Sequence, residues 1–289
     1  MKVREILERH YGQHCMRFLD GRYYGIEIEV EGANLPRAIP SWTAKQDGSL
    51  RPNPQCLEYI STNPTSFKER RAHLQAFADA TKESRFNLSH RCSVHVHRNI
   101  THLPVDRLFK VIATFFMLEP LLSGWCGKSR AGNRFCLRAM DCGDHGEKVA
   151  RAIYGGFTNV DPAKFKYSSL NIATIPRMGT LEFRGLAATV DTDRILKWID
   201  IIECLFKYSL KDEPVQVMQE RVFSDFPALV KDVFGKHAEE LFTDEAVQAE
   251  CEYAASINYN LCTWEEAIKK EYFIGEDKKK VKNVPNGEW

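Results

Sequence analysis

The segment YYGIEIEVE (23–31) alternates Glu27, Glu29 and Glu31 with Ile26, Ile28 and Val30. A strand sends alternate side chains to opposite faces, so one face here is apolar and the other carries three carboxylates in a row. Carboxylates two apart along a strand lie roughly 7 Å from each other. At an effective dielectric of about 20, each such pair repels by about 2 kcal/mol. Water screens that repulsion on an open surface, but in a cleft it persists until cations neutralise it. A solvated strand and a cation-binding strand both fit this segment taken alone.

Three further segments have the same alternation. CSVHVHRN (92–99) puts Ser93, His95 and His97 on one face, and GTLEFRGL (179–186) puts Thr180, Glu182 and Arg184 opposite Leu181 and Phe183. CLEYIS (56–61) carries Glu58. Singly, HVH reads as ordinary strand histidines and LEFR as a surface ion pair. If the four strands adjoin with these faces together, hard oxygen donors, imidazoles and a guanidinium meet, and these are the parts of a metal–phosphate site. Arg98, Lys128, Arg130, Arg134 and Arg138 cluster in or near a polar mid-chain stretch, and arginines clamp phosphate oxygens through paired hydrogen bonds. There is no GxxxxGK[ST] and no GxGxxG. Any nucleotide must therefore be held by metals and these arginines rather than by a phosphate-binding glycine loop.

The elements that would position these residues can be read from periodicity. Helical spacing is expected within 1–20, over 67–84, over 106–122 and over 193–208, where apolar residues recur at one helix face. The Pro, Gly, Asn and Asp content of 34–53 predicts a loop or hairpin around DGS, and 123–147 reads as an active-site loop or lid. YSSLNIATI (167–175) and GTLEFRGL predict a hairpin joined at PRMG. Strands linked by helices of unequal length favour an α+β fold with an antiparallel sheet backed by helices. After Pro214 the pattern becomes mainly helical, which divides the chain into a core over 1–212, a helical extension over 213–275 and a charged tail over 276–289.

The 289 residues, with formal net charge +1, can bury a substantial core and argue against a nucleic-acid binder that works through bulk charge. No run of 18 apolar residues suggests a membrane span, and MKVREILERHYG lacks the features of a secretory leader. Nine scattered cysteines without CxxC predict reduced thiols in a cytoplasmic protein and no zinc site, with Cys142 the most exposed.

In their order, YYGIEIEVE, DGSL (47–50), LEYIS (57–61), SVHVHRN (93–99), RAGNRFC (130–136), KYSSLN (166–171) and GTLEFRG (179–185) resemble the motifs of the amidoligase family. These are carboxylate–amine ligases related to glutamine synthetase and glutamate–cysteine ligase. The resemblance spans about residues 23–205. Tyr59 stands where a small aliphatic residue is expected, and the segment after Pro214 matches no motif. The resemblance implies a curved antiparallel sheet of the glutamine-synthetase-like core, binding ATP and two or three Mg²⁺ or Mn²⁺ ions. It implies metal ligation by Glu27, Glu29, Glu58, His95 and Glu182, and places Arg184 beside the transferred phosphoryl group. His97 and Arg98 would hold phosphate, Arg130 and Arg134 would hold phosphate or a carboxylate substrate, and Tyr167 and Asn171 would shape the substrate end.

The implied reaction joins a carboxylate and an amine, on a small molecule, a peptide or a protein side chain, through an acyl phosphate. A base must take the ammonium proton, and Glu31 and Asp47 are the candidates. A guanidino-kinase-like phosphotransferase and a non-catalytic assembly protein on the same fold are the rivals. A second copy or a protein partner would bind through the C-terminal extension.

Overall fold

A computed structural model of the chain describes residues 1–12, 20–48, 50, 55–142, 144–158, 160–241 and 244–258. Ser49 of DGSL, residues 51–54, and the extension and tail from 259 onward lie outside the described residues.

In chain order, helix α1 (Val3–Tyr11) precedes the long strand β1 (Tyr23–Ala33). The segment expected as loop or hairpin contains β2 (Ala38–Ile39) and β3 (Trp42–Lys45), followed by β4 (Gln55–Ser61) and β5 (Thr65–Ser66). Helix α2 (Arg70–Thr81), β6 (Arg85–Phe86) and β7 (Ser93–Asn99) lead into the 22-residue helix α3 (Val105–Cys126). Then come α4 (His145–Tyr154), α5 (Pro162–Phe165), β8 (Leu170–Asn171), α6 (Ile175–Met178) and β9 (Thr180–Ala187). The last described elements are α7 (Thr192–Ser209), α8 (Val215–Ser224), α9 (Phe226–Phe234), α10 (Ala238–Leu241) and α11 (Glu245–Ile257).

The strands form one sheet in the order β2-β3-β4-β1-β7-β9-β8, with β5 and β6 pairing with β1 off this path. Every pairing is antiparallel. The fold is thus α+β with a large antiparallel sheet. Ile26, Ile28 and Val30 are fully buried on the back of β1, in one apolar core with α3, α7 and residues of α8 to α11. The described part of the extension packs into this same core.

Helix α3 is apolar on all sides because elements cover it on all sides: the sheet and α7 on one flank, α4, α8 and α11 on others. Its length and hydropathy would suffice to cross a membrane, yet 89% of its most apolar window is buried inside the protein. Helix α7 begins at Asp191, whose carboxylate accepts from Asp193 N at 3.0 Å and Arg194 N at 3.2 Å, filling donors that a helix start leaves open.

Two expectations need correction. The polar stretch 123–147 is shorter as a loop, because α3 runs to Cys126 and α4 starts at His145. The strand expected over 167–175 is only Leu170–Asn171, and PRMG belongs to a helical turn. The Asn171 carbonyl oxygen (Oδ1) caps Ala173 N at 2.8 Å, and Pro176 sits in the first turn of α6, where its missing N–H costs nothing. Gly179, at φ +64°, then closes the turn and starts β9. The seven described cysteines are free; Cys142 and Cys204 are half-buried and the other five buried.

Candidate active site

Four central strands bring the sequence-predicted residues together. On β1, Glu27 pairs with His95 of β7, and Glu29 pairs with Glu58 of β4. His97 of β7 pairs with Glu182 of β9. Between Val94 and Val96 the β7–β9 register shifts, so Arg184 and Gly185 together oppose His95. Arg184 shares the site face with Glu182 by alternation, and the bulge that follows puts both Gly185 and Leu186 on the helix side. A Cβ on Gly185 would meet Cys126 Sγ at 3.4 Å, so glycine fits that inward position.

The side chains interlock. Glu27 reaches both histidines, at 3.0 Å to His95 Nδ1 and 3.1 Å to His97 Nε2. Ser93 Oγ donates to Glu29 at 2.6 Å and lies 2.8 Å from His95 Nε2. A hydroxyl has one proton; with it on Glu29, the His95 Nε2 must carry its own. His95 Nδ1 then faces Glu27 Oε2 at 3.0 Å and Glu182 Oε1 at 3.4 Å. Lone pairs converge there, and a proton or a cation is needed among them. Arg184 Nη1 donates to Glu182 and lies 3.4 Å from His95 Nδ1.

Among the described residues, three groups bring ligand atoms within 4.8 Å of one another: Glu27, Glu58 and His95; Glu27, His97 and Glu182; Glu29, Asp47 and Glu58. Glu29, His95, His97 and Glu182 are at most 5% exposed. Burial pushes the Glu58 carboxyl up to about 8, with Glu27, Glu29 and Asp47 adding to it and Lys45 only partly offsetting. Burial would also raise Glu27, but the charges and hydrogen bonds of His97 and His95 hold it well below the usual range. Against the same burial penalty, Arg184 and the histidines hold Glu182 down, and Glu27 raises His97.

The family described as "Putative amidoligase enzyme" matches residues 20–205. The chain belongs to the amidoligase family. None of the curated proteins compared with it matches. The matched range contains every strand described above, begins after α1 and stops within α7.

The basic residues of the chain do not converge as their sequence clustering suggests. Arg98 lies on the helix side of β7, where Nε donates to Glu203 at 2.7 Å and the guanidinium sits 4.6 Å over the Phe206 ring. It has the parity of Val94 and Val96, so alternation already excludes it from the face of His95 and His97. Arg138 is bound to Asp141 and Glu250. Arg134 is exposed over Phe135, and Tyr167, 40% exposed, packs edge-on against that same ring. Neither Arg134 nor Tyr167 joins the cluster. Arg130 is 1% exposed and donates to the Arg184 carbonyl at 2.8 Å.

Asn171 belongs to the cluster, but as a holder of Glu182: its amide donates to Glu182 Oε2 at 2.6 Å and its carbonyl is taken by Ala173 N. Glu31 is buried on the site face and accepts from Ser89 Oγ at 3.1 Å. Thr180 supplies the second partner of His97, at 3.2 Å from Nδ1. Sequence reasoning missed Glu119, which is fully buried in α3 and hydrogen-bonded to Ser169 and to Ala139 N. Its signal was a lone carboxylate inside the apolar run FFMLEPLL, which must find partners.

Proposed function

We propose that the chain is an ATP-dependent carboxylate–amine ligase that forms an amide or peptide bond through an acyl phosphate. The observation that carries this reading is the meeting, inside the family-matched range, of three overlapping donor groups with a single arginine. The antiparallel sheet with helices behind it supports a glutamine-synthetase-like core, with residues 1–212 as the catalytic unit.

The donor set fits Mg²⁺ or Mn²⁺: carboxylate oxygens with two imidazoles, no thiolate, and lone pairs that converge around His95 Nδ1. Glu27, Glu29, Asp47, Glu58, His95, His97 and Glu182 would hold such ions. When bound, the ions neutralise phosphate charge and the carboxylate row together.

A cavity of about 230 Å³ opens beside this cluster; Glu27 and His97 line one side, and Tyr23, Ile60, Pro64 and Met178 supply an apolar wall. That lining suits the base of the nucleotide, with its phosphates toward Glu27 and His97. Arg184 points its guanidinium into the cluster, and its Nε is buried without a partner, which suits an oxygen of the transferred phosphoryl group. The substrate carboxylate oxygen bonds to Pγ as the bond to ADP breaks. The amine nitrogen then bonds to the acyl carbon, phosphate leaves, and Glu31 or Asp47 takes the ammonium proton.

The dispersal of the arginines favours this ligase over a guanidino-kinase-like enzyme, which depends on an arginine-lined phosphate site. The test is ATP-dependent phosphate release screened over carboxylate and amine pools, with mass detection of a product one water lighter than its reactants. A phosphorylated product without any amide would make the chain a phosphotransferase. No release, together with no rise in the unfolding midpoint on adding Mg²⁺ or Mn²⁺ with ATP, would remove the enzyme reading, because binding to the native state must stabilise it.

A further inference from the structure

We propose that Arg130 and Glu119 are positioning residues that fix the backbone of Arg184 at the β9 bulge and thereby aim its guanidinium into the carboxylate–histidine cluster. The proposal rests on the ligase reading for what Arg184 does, and on geometry alone for how it is held. A bulge takes a residue out of one-to-one pairing and leaves its backbone groups to be held by other means. Both polar groups of Arg184 are held from outside β7. Its carbonyl accepts from Arg130 Nη2 at 2.8 Å, and its N–H donates to the Ser169 carbonyl at 2.8 Å.

Ser169 is itself anchored. Its hydroxyl donates to Glu119, and its N–H donates to the Leu137 carbonyl at 2.8 Å. Glu119 also accepts from Ala139 N at 2.7 Å, so one carboxyl of the core helix α3 ties the 137–139 loop to the Ser169 strand end. Arg130 is 1% exposed, with Nε and Nη1 buried and unpartnered. Burying a guanidinium this way is costly; its contacts are to the carbonyl of Arg184 and to the thiol of Cys136. Both residues thus act on Arg184 from behind the sheet, without touching the donor groups.

The experiment measures kcat and KM for MgATP in Arg130→Met, Arg130→Lys, Glu119→Ala and Glu119→Gln, alone and in an Arg184→Ala background. It also measures amide hydrogen exchange of segment 180–187. Misplacing a reacting group by an ångström, or losing the partner that orients it, lowers rates roughly 10- to 100-fold. Arg130→Met and Glu119→Ala are expected to lower kcat by that factor with KM for MgATP changed less than about threefold. Arg130→Lys, which keeps a donor, and Glu119→Gln, which keeps a donor and an acceptor, are expected to recover most of the rate. In the Arg184→Ala background the same changes should cost less than about twofold.

Losses that add in full to that of Arg184→Ala, or that fall on KM alone, would overturn the proposal. Exchange separates this proposal from the ligase reading. Segment 180–187 should exchange faster in Arg130→Met while 23–33 does not. Unchanged exchange at 180–187 overturns the brace even in a protein with no ligase activity, and an inactive wild-type protein with the expected exchange pattern removes the ligase reading alone.

Discussion

Strand β7 carries buried charge on both of its faces, and the two faces differ in whether that charge is answered. Toward the helices, Arg98 donates to Glu203, Tyr24 OH donates to the same carboxylate, and Arg22 approaches it at 3.6 Å. Toward the opposite face, Glu27, Glu29, Glu58 and Glu182 outnumber His95, His97 and Arg184, with Lys45 acting on Glu58 from the side. Buried charge that is matched within the protein holds the fold together. Buried charge in excess of its partners calls for a ligand of opposite sign.

This contrast can be broken most sharply at its two arginines. Arg184→Ala is expected to lower the ATP-dependent rate roughly 10³-fold or more, the scale of an arginine that meets a transferring phosphoryl group. The urea midpoint of the metal-loaded protein should move little, and a large midpoint loss with proportionate activity would make Arg184 a mere structural residue. Arg98→Ala should do the reverse. It removes the buried cation from Glu203 and leaves that carboxylate only the Tyr24 hydroxyl and the more exposed Arg22 at 3.6 Å, which costs up to about 3–5 kcal/mol in urea unfolding, while the folded fraction keeps its midpoint shift with Mn²⁺ and ATP.

Glu58 gives a smaller effect with a defined sign. Its folded-state pKa, about 8, lies above the ordinary 4.5. The metal-free native state therefore holds a proton that the unfolded state has released, and stability falls as pH rises from about 4.5 to about 8. Metal-free Glu58→Gln should be more stable than wild type at pH 8 by of order 1 kcal/mol, and the gap should close at pH 5. Saturating Mn²⁺ should reverse the order. An unchanged order in Mn²⁺ would mean that Glu58 holds no ion.

Glu119 is the control behind the sheet. Burial pushes it up to about 8, and its bonds from Ser169 and Ala139, with the nearby Arg138, only partly offset this. The sign is the same: wild type loses stability from about pH 4.5 to about pH 8, and Glu119→Gln should flatten that slope by of order 1 kcal/mol. Here Mn²⁺ should make no difference to the gap. A metal-dependent gap at Glu119 would blur the distinction between matched and unmatched charge.

Much of the candidate site could be read from alternation, because side-chain parity in a strand is a local property of the backbone. Glu27, Glu29, His95, His97, Glu182 and Arg184 each sit on the face their parity assigns. Arg98 was misjudged by sequence neighbourhood, although its parity with Val96 already placed it on the other side. The direction of Arg130, Arg134 and Arg138 could not be read at all, since a loop has no period to orient a side chain. Of the hairpin expected over 167–186, β9 forms and pairs antiparallel with β8, but β8 is cut to Leu170–Asn171 because a side-chain cap from Asn171 and a proline in α6 replace ladder bonds.

The sequence by itself determined the class of elements, the two faces of each long strand and the motif order that marks the amidoligase family. Those features depend on local periodicity and on residue identity. Only the tertiary structure decided that β4, β1, β7 and β9 are neighbours, that their registers set Glu27 against His95 and Glu29 against Glu58, and that a bulge in β9 puts both Gly185 and Leu186 on the helix side. Strand order and register are fixed by contacts between residues far apart in the chain, where the burial of all the apolar faces at once selects one pairing. It likewise decided which buried charges are answered, because a partner such as Glu203 for Arg98 is supplied by an element more than a hundred residues away.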